Sequence, residues 1–126
     1  MSIYGIGSDL VDISRVKKAL KIKNFKKKIY SINEIKNIEN KFKKIANYAK
    51  RFAAKEAFSK ALGTGISGGI LFKEISIKND KKGKPYIELL GKTKSIVNHK
   101  IKKKYKIFLT ISDEKKYALA LVVITY

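Results

Sequence analysis

Hydrophobic and polar positions change period partway along the chain, from about 3.6 in the first half to 2 in the second. Ile3 to Ile6 alternates loosely and runs into Gly7, which predicts a first strand with a tight exit. Asp12 has the chemistry of an N-cap for a helix from Ile13 to Lys23, with Ile13, Val16 and Leu20 facing inward. Phe25 to Tyr30 predicts a short helix or turn. Ser31-Ile32-Asn33-Glu34 has capping-box spacing and opens a helix to about Lys41. The longest periodic stretch is Ile45 to Gly65, IANYAKRFAAKEAFSKALGTG. At about 100° per residue it places Ile45, Ala49, Phe52, Ala53 and Ala57 on one side and Ala54, Phe58 and Leu62 on the other. A helix apolar on two sides belongs in the middle of a domain.

Gly63 stops that helix, and Gly63-Thr64-Gly65 with Gly68-Gly69 predicts a loop that lets backbone approach something closely. Beyond it, Phe72, Ile75 and Ile77 mark a strand reaching Asn79. A turn at Asp80-Lys81-Lys82-Gly83-Lys84-Pro85 and a return strand from Tyr86 to Leu90 follow. Thr93 to Lys103 reads as an amphipathic helix. Tyr105 to Ser112 and Tyr117 to Thr125 form a closing hairpin around Asp113-Glu114-Lys115. The order predicts an α+β fold, an antiparallel sheet packed around the long central helix, in one domain spanning residues 1–126.

Composition narrows the class. A chain of 126 residues with 44% hydrophobic content, one proline and eight glycines is globular. No run approaches the roughly 20 apolar residues of a membrane span. The first residues, MSIYGIGSDLVD, lack the basic region of a secretory leader, so a soluble cytoplasmic protein with no membrane partner is expected. The formal net charge of +20 points first to nucleic acid. All but Arg15 and Arg51 of the 30 basic residues are lysine, however, and base readers favour arginine. The chain is also rich in Ile and Asn, as A/T-rich coding would make it, so drift on a solvated surface explains the lysines as well as a polyanion does. No nucleic-acid partner is expected, and a basic nucleic-acid-binding module is the alternative reading.

The candidate chemistry rests on carboxylates. With no cysteine and only His99, read as exposed, no thiolate-held zinc or histidine triad assembles within the chain. Glu56 projects between Phe52 and Ala49, where a carboxylate is costly unless a cation or donors meet it. An i,i+4 pair with Lys60, worth about 0.2–0.5 kcal/mol on an open helix, is too weak to hold it there. Asp9 follows a strand and a glycine turn, where it is either a turn residue or a ligand. Lys60 either pairs with Glu56 or meets a phosphate. The loop after the helix offers free N–H groups, although the helix dipole at that end disfavours anions. Two carboxylates on separate elements, a lysine and a glycine loop suit Mg²⁺ with a phosphate ester. Arg15, Lys17, Lys18 and Lys21 spread over an arc of roughly 160° on the outer side of the first helix, either solvated or docking an acidic partner.

Four stretches carry a family resemblance. Ile3-Tyr4-Gly5-Ile6-Gly7-Ser8-Asp9-Leu10-Val11-Asp12-Ile13-Ser14-Arg15 resembles the opening signature of the holo-acyl-carrier-protein synthases, the small phosphopantetheinyl transferases of bacterial fatty-acid synthesis. Lys50-Arg51-Phe52-Ala53-Ala54-Lys55-Glu56-Ala57-Phe58-Ser59-Lys60-Ala61-Leu62-Gly63-Thr64-Gly65 resembles their second, long and specific signature. Asn79-Asp80 with Gly83-Lys84-Pro85, and the hairpin from Leu109 to Ile124, complete the match in the family's order. The resemblance implies Mg²⁺-dependent transfer of 4′-phosphopantetheine from coenzyme A to a serine of apo acyl carrier protein, releasing adenosine 3′,5′-bisphosphate. It implies Asp9 and Glu56 as metal ligands, with Glu56 or a water beside it as proton acceptor, and Lys60 offsetting pyrophosphate charge. Gly63, Thr64 and Gly65 with Gly83, Lys84 and Pro85 would line the nucleotide pocket through backbone contacts. Arg15, Lys17, Lys18 and Lys21 would receive the acidic carrier protein. Many relatives have Ser-His where this chain has Ser112-Asp113, so that histidine's role does not carry over.

The family also implies a homotrimer with its sites between subunits. The final strand, ALALVVI from Ala118 to Ile124, is nearly continuously apolar, as expected of a strand covered on both faces.

Overall fold

The first strand does not stop at its glycines. In the computed structural model, which describes residues 1–65 and 67–126, β1 runs from Ile3 to Asp12. Gly5 and Gly7 lie inside it because helix α4 (Lys44–Leu62) crosses directly over them. A methyl group on Gly5 would run into the Ala61 carbonyl, and one on Gly7 into the Ala57 carbonyl. The glycines are therefore contact points for a helix rather than a turn.

Asp12 caps α1 (Ile13–Ala19) as predicted, accepting from the Ser14 N–H at 2.8 Å and its hydroxyl at 2.6 Å. The helix is shorter than its periodicity suggests. Lys21 and Ile22 bond three residues back, to Lys18 and Ala19, and Asn24 takes a left-handed φ of 69°, so the chain leaves the axis. Short α2 (Phe25–Ile29) follows. Then comes α3 (Ile32–Glu39), opened by the full Ser31–Glu34 capping box. A 3₁₀ turn at Phe72–Glu74 replaces the predicted start of a strand. β2 (Ile75–Asn79) and β3 (Pro85–Leu89), α5 (Gly91–Ile101), β4 (Lys106–Asp113) and β5 (Tyr117–Thr125) complete the chain.

Two antiparallel sheets result, one ordered β1-β5-β4 and the other the β2-β3 hairpin. α4 packs on the three-stranded sheet, and α1, α3 and β2 also touch it. Small residues make the close approach possible: Ala53, Ala57 and Ala61 of α4 and Ala118 and Ala120 of β5 are buried. Phe58, Leu62 and Tyr48 are buried as well, and Phe52 meets Phe72 edge to face, so the helix is apolar on more than one side as expected.

Burial along β5 alternates within the single chain, so only one of its faces is covered there. Ala118, Ala120, Val122 and Ile124 are buried under α4, while Leu119 and Leu121 are exposed. The register sets three rows on the outer face: Ile6–Val123–Phe108, Ser8–Leu121–Thr110 and Leu10–Leu119–Ser112. That face is mostly apolar and bare in the single chain. Among the described residues no helix is long and apolar enough to cross a membrane.

Candidate active site

β1 and α4 hold the candidate carboxylates against each other. Asp9 alternates with buried Gly7 and Val11, so it belongs to the helix-facing side of β1. Glu56 and Lys60 sit one turn apart on α4. Lys60 Nζ donates to the Ser8 carbonyl at 2.9 Å and to Asp9 Oδ1 at 3.1 Å. The lysine thus pairs with the strand carboxylate, and the i,i+4 pair with Glu56 does not form. Asp9 and Glu56 both line a cleft of about 390 Å³, together with Arg15, Phe25, Phe52 and Ala19.

Glu56 is half-buried at this rim rather than fully enclosed on an apolar face. Its proton affinity is nevertheless raised, first by partial burial and then by the negative charge of Asp9, with Lys60 pulling the other way. The electrostatic need inferred for Glu56 stands, though its magnitude is smaller than a buried carboxylate would have. Two like charges facing one cleft, with one lysine paired to Asp9, invite a cation. Among the described residues no group of three or more acidic or histidine side chains forms a metal cage. Two carboxylates with room for water or ligand oxygens match the donor set of Mg²⁺, which keeps much of its own shell.

The charges that are deeply buried lie elsewhere. Lys55 and Glu34 are fully buried and meet at 2.7 Å. Lys55 also donates to the carbonyls of Phe72, at 2.9 Å, and Ile75, at 2.5 Å. Glu34 accepts from the N–H groups of Ser31 and Ile77. Burial lowers the proton affinity of Lys55, and Glu34 opposes that shift. The two carbonyls bound by Lys55 bracket the 3₁₀ segment Phe72–Glu74. Sequence reading missed this node because Glu34 was already accounted for as a capping residue, and Lys55 looked like one more lysine.

Of the basic positions, Arg15 borders the cleft. Lys17 and Lys18 are exposed on α1, and Lys21 follows its end. Two of the N–H groups expected to be free in the glycine loop, those of Gly63 and Gly65, are used by the end of the helix. Gly63, at φ 88°, bonds back to Ser59 and Lys60, and the Gly65 N–H bonds to Ser59, while the Thr64 hydroxyl donates to the Gly65 carbonyl. These bonds satisfy the helix's terminal carbonyls. Gly63 also lies seven residues, about 10 Å along the axis, from Glu56.

The Gly83–Lys84–Pro85 turn lies beside β4, the other edge of the sheet from β1. Lys84 and Pro85 line a second cleft of about 320 Å³ with Ile107, Phe108 and Leu109 of β4. β4 and β1 are opposite edges of the sheet, separated by β5, a span of about 9–10 Å. The Gly83 and Lys84 N–H groups are also used within the turn, by the Asp80 carbonyl and carboxylate. What the turn offers outward is the Pro85 ring and lysine side chains. In the same sheet Asp113 pairs with Lys50 at 3.2 Å, and His99 is exposed as expected.

Comparison with known proteins gives a consistent picture. Residues 5–122 match the model of the 4′-phosphopantetheinyl transferase superfamily. The chain is 47% identical over 125 residues to the holo-[acyl-carrier-protein] synthase of Pelagibacter ubique, covering 98% of each chain. Its structure is similar to that of holo-[acyl-carrier-protein] synthase from Neisseria meningitidis, with a TM-score of 0.87, 36% identity and coverage of 98% and 99% of the two chains. The enzyme from Bacillus anthracis, solved in complex with CoA (3′,5′-ADP), gives a TM-score of 0.81 at 33% identity, covering 98% and 97% of the two chains.

Proposed function

Because the chain belongs to the 4′-phosphopantetheinyl transferase superfamily, we propose that it moves the 4′-phosphopantetheine arm of coenzyme A onto a serine of apo acyl carrier protein. The observation that carries this reading is the cleft itself, where Asp9 and Glu56, on two different elements, face one volume beside Lys60. The complex of the Bacillus anthracis relative with CoA (3′,5′-ADP) supports coenzyme A as the donor.

In the reaction the serine oxygen bonds to the phosphorus that carries the pantetheine arm. The bond from that phosphorus to the bridging oxygen of the pyrophosphate breaks, and adenosine 3′,5′-bisphosphate leaves. Glu56 takes the serine proton, a role supported by the raised proton affinity that burial and Asp9 confer. Lys60, already directed at Asp9 and half exposed, offsets negative charge on the pyrophosphate. Asp9 and Glu56 are the residues that would hold Mg²⁺. When bound, that ion supplies charge neutralisation and alignment of the pyrophosphate oxygens. Arg15 at the rim, with Lys17, Lys18 and Lys21 behind it, suits the acidic carrier. The reading places the step in cytoplasmic fatty-acid synthesis.

A homotrimer completes the reading. Two features support it: the bare apolar face of the three-stranded sheet, and the placement of the Asp9–Glu56 cleft and the Gly83–Pro85 turn at opposite sheet edges. A neighbouring copy would cover the first and bring the second within reach of one ligand. The test is product analysis. Incubating the protein with coenzyme A, Mg²⁺ and apo acyl carrier protein should release adenosine 3′,5′-bisphosphate only when all three are present. Coenzyme A recovered unchanged would refute the assignment.

A further inference from the structure

The tip of the β2–β3 hairpin is a turn with reasons to open. Lys81, Lys82 and Lys84 are all exposed on it, and like charges this close repel. The last rung of its ladder sets Asn79 opposite Pro85, and proline has no N–H to give across. Two side chains make up the deficit. The Asp80 carboxylate accepts from the N–H groups of Lys82 and Lys84, both at 2.9 Å. The Asn79 amide nitrogen donates to the Gly83 carbonyl at 2.9 Å, and its oxygen accepts from Arg51 Nη2 at 3.1 Å.

Arg51 is a firm anchor. It is almost fully buried in α4, where Nη1 donates to the Asn47 carbonyl and side-chain oxygen at 3.3 and 3.1 Å. It also lies on the helix that carries Glu56 and Lys60. A run of hydrogen bonds therefore connects the reacting helix to the hairpin tip: Asn47, Arg51, Asn79, Gly83. Asparagine suits the middle position because it offers a donor and an acceptor on one short planar group.

We propose that Asn79 is a positioning residue for the transfer, fixing the Gly83–Lys84–Pro85 turn to the α4 frame so that it forms a preset wall for the nucleotide end of coenzyme A. The proposal rests on the reading of the turn as part of the coenzyme A site. Asn79→Asp is the diagnostic change. It keeps size and the acceptor for Arg51, and it replaces the donor to Gly83 with a group that repels the carbonyl. Asn79→Ala removes both links.

Two measurements test it. The first is hydrogen exchange at the Gly83 and Lys84 amides without ligand, expected to be at least about tenfold faster in both variants. The second is steady-state transfer with coenzyme A and apo carrier varied in turn. Here KM for coenzyme A should rise about three- to tenfold, the worth of one exposed hydrogen bond. Turnover and KM for carrier should stay close to wild type in both variants, and so should Tm in Asn79→Asp, which keeps the acceptor for Arg51. Wild-type exchange in Asn79→Asp overturns the proposal, since the Gly83 bond then does not hold the turn. Faster exchange with an unchanged KM for coenzyme A also overturns it, because the turn is locked but plays no part in binding. Parallel loss of turnover and Tm with no change in KM would show a structural residue only. A wild-type protein that transfers nothing refutes the functional reading and the positioning role with it, and the exchange rates still report whether the lock exists.

Discussion

Lys55 and Glu56 are adjacent in sequence and meet opposite environments. Lys55 turns into the core and finds Glu34 and two carbonyls; Glu56 turns to the cleft and finds Asp9. Removing one partner of a satisfied buried pair leaves the other charge stranded, so Lys55→Met should cost about 3–5 kcal/mol in urea unfolding. Adding Glu34→Gln to it should recover part of that loss. Glu56→Gln should behave in the reverse sense. The folded protein raises the Glu56 pKa above its ordinary 4.5, so the ionised form is the disfavoured one. Stability of the metal-free protein should therefore rise as pH falls through the raised value, and the glutamine variant should lack that rise. Its thermal midpoint at pH 7 should be no lower than that of wild type. At this scale the sequence marked Glu56 as a carboxylate in an unfavourable place on α4, and the structure sets it beside Asp9. The sequence did not show which charge was buried, because a helix covered on several sides has no single polar face to read.

Among the elements, β1 and α4 determine whether the cleft exists. Their contact depends on two residues without side chains, Gly5 and Gly7, set against the Ala61 and Ala57 carbonyls. Gly7→Ala should push α4 away from β1, costing about 1–3 kcal/mol in the manner of an overpacked core. It should also lower turnover, because Asp9 rides on one of the displaced elements and Glu56 and Lys60 on the other; thermal unfolding and turnover measured together would show both effects. The caps of α1 and α3, the glycine stop of α4 and the closing hairpin were all legible, since each is set by local chemistry. The length of β1 was not. Gly5 and Gly7 read locally as a turn, and only the helix lying over them makes them strand residues. The 3₁₀ turn at Phe72–Glu74 was not legible either; its first carbonyl meets Lys55, 17 residues upstream, a contact no local pattern announces.

For the whole molecule, the proposed trimer would account both for the bare sheet face and for the separation of the two clefts. Ile6, Leu10, Phe108, Leu119 and Leu121 are exposed on one side of the sheet in a single chain. Light scattering should give about three times the chain mass of 14.3 kDa. Leu121→Lys should dissociate the assembly or prevent its folding, with transfer lost in either case. A folded, monomeric and fully active Leu121→Lys protein would show that one chain holds a complete site. The α+β class and the Asp9–Glu56 pairing could be read from sequence; the separation of that pair from the Gly83–Pro85 turn could not, because strand order in a sheet is a long-range property. The most direct measurement of the central claim is the mass of apo acyl carrier protein after incubation with coenzyme A and Mg²⁺, using wild-type and Glu56→Gln protein side by side. The Asp9–Glu56 account predicts a gain of one phosphopantetheine with wild type and none with the variant. No gain with wild type, or an equal gain with both, would contradict it.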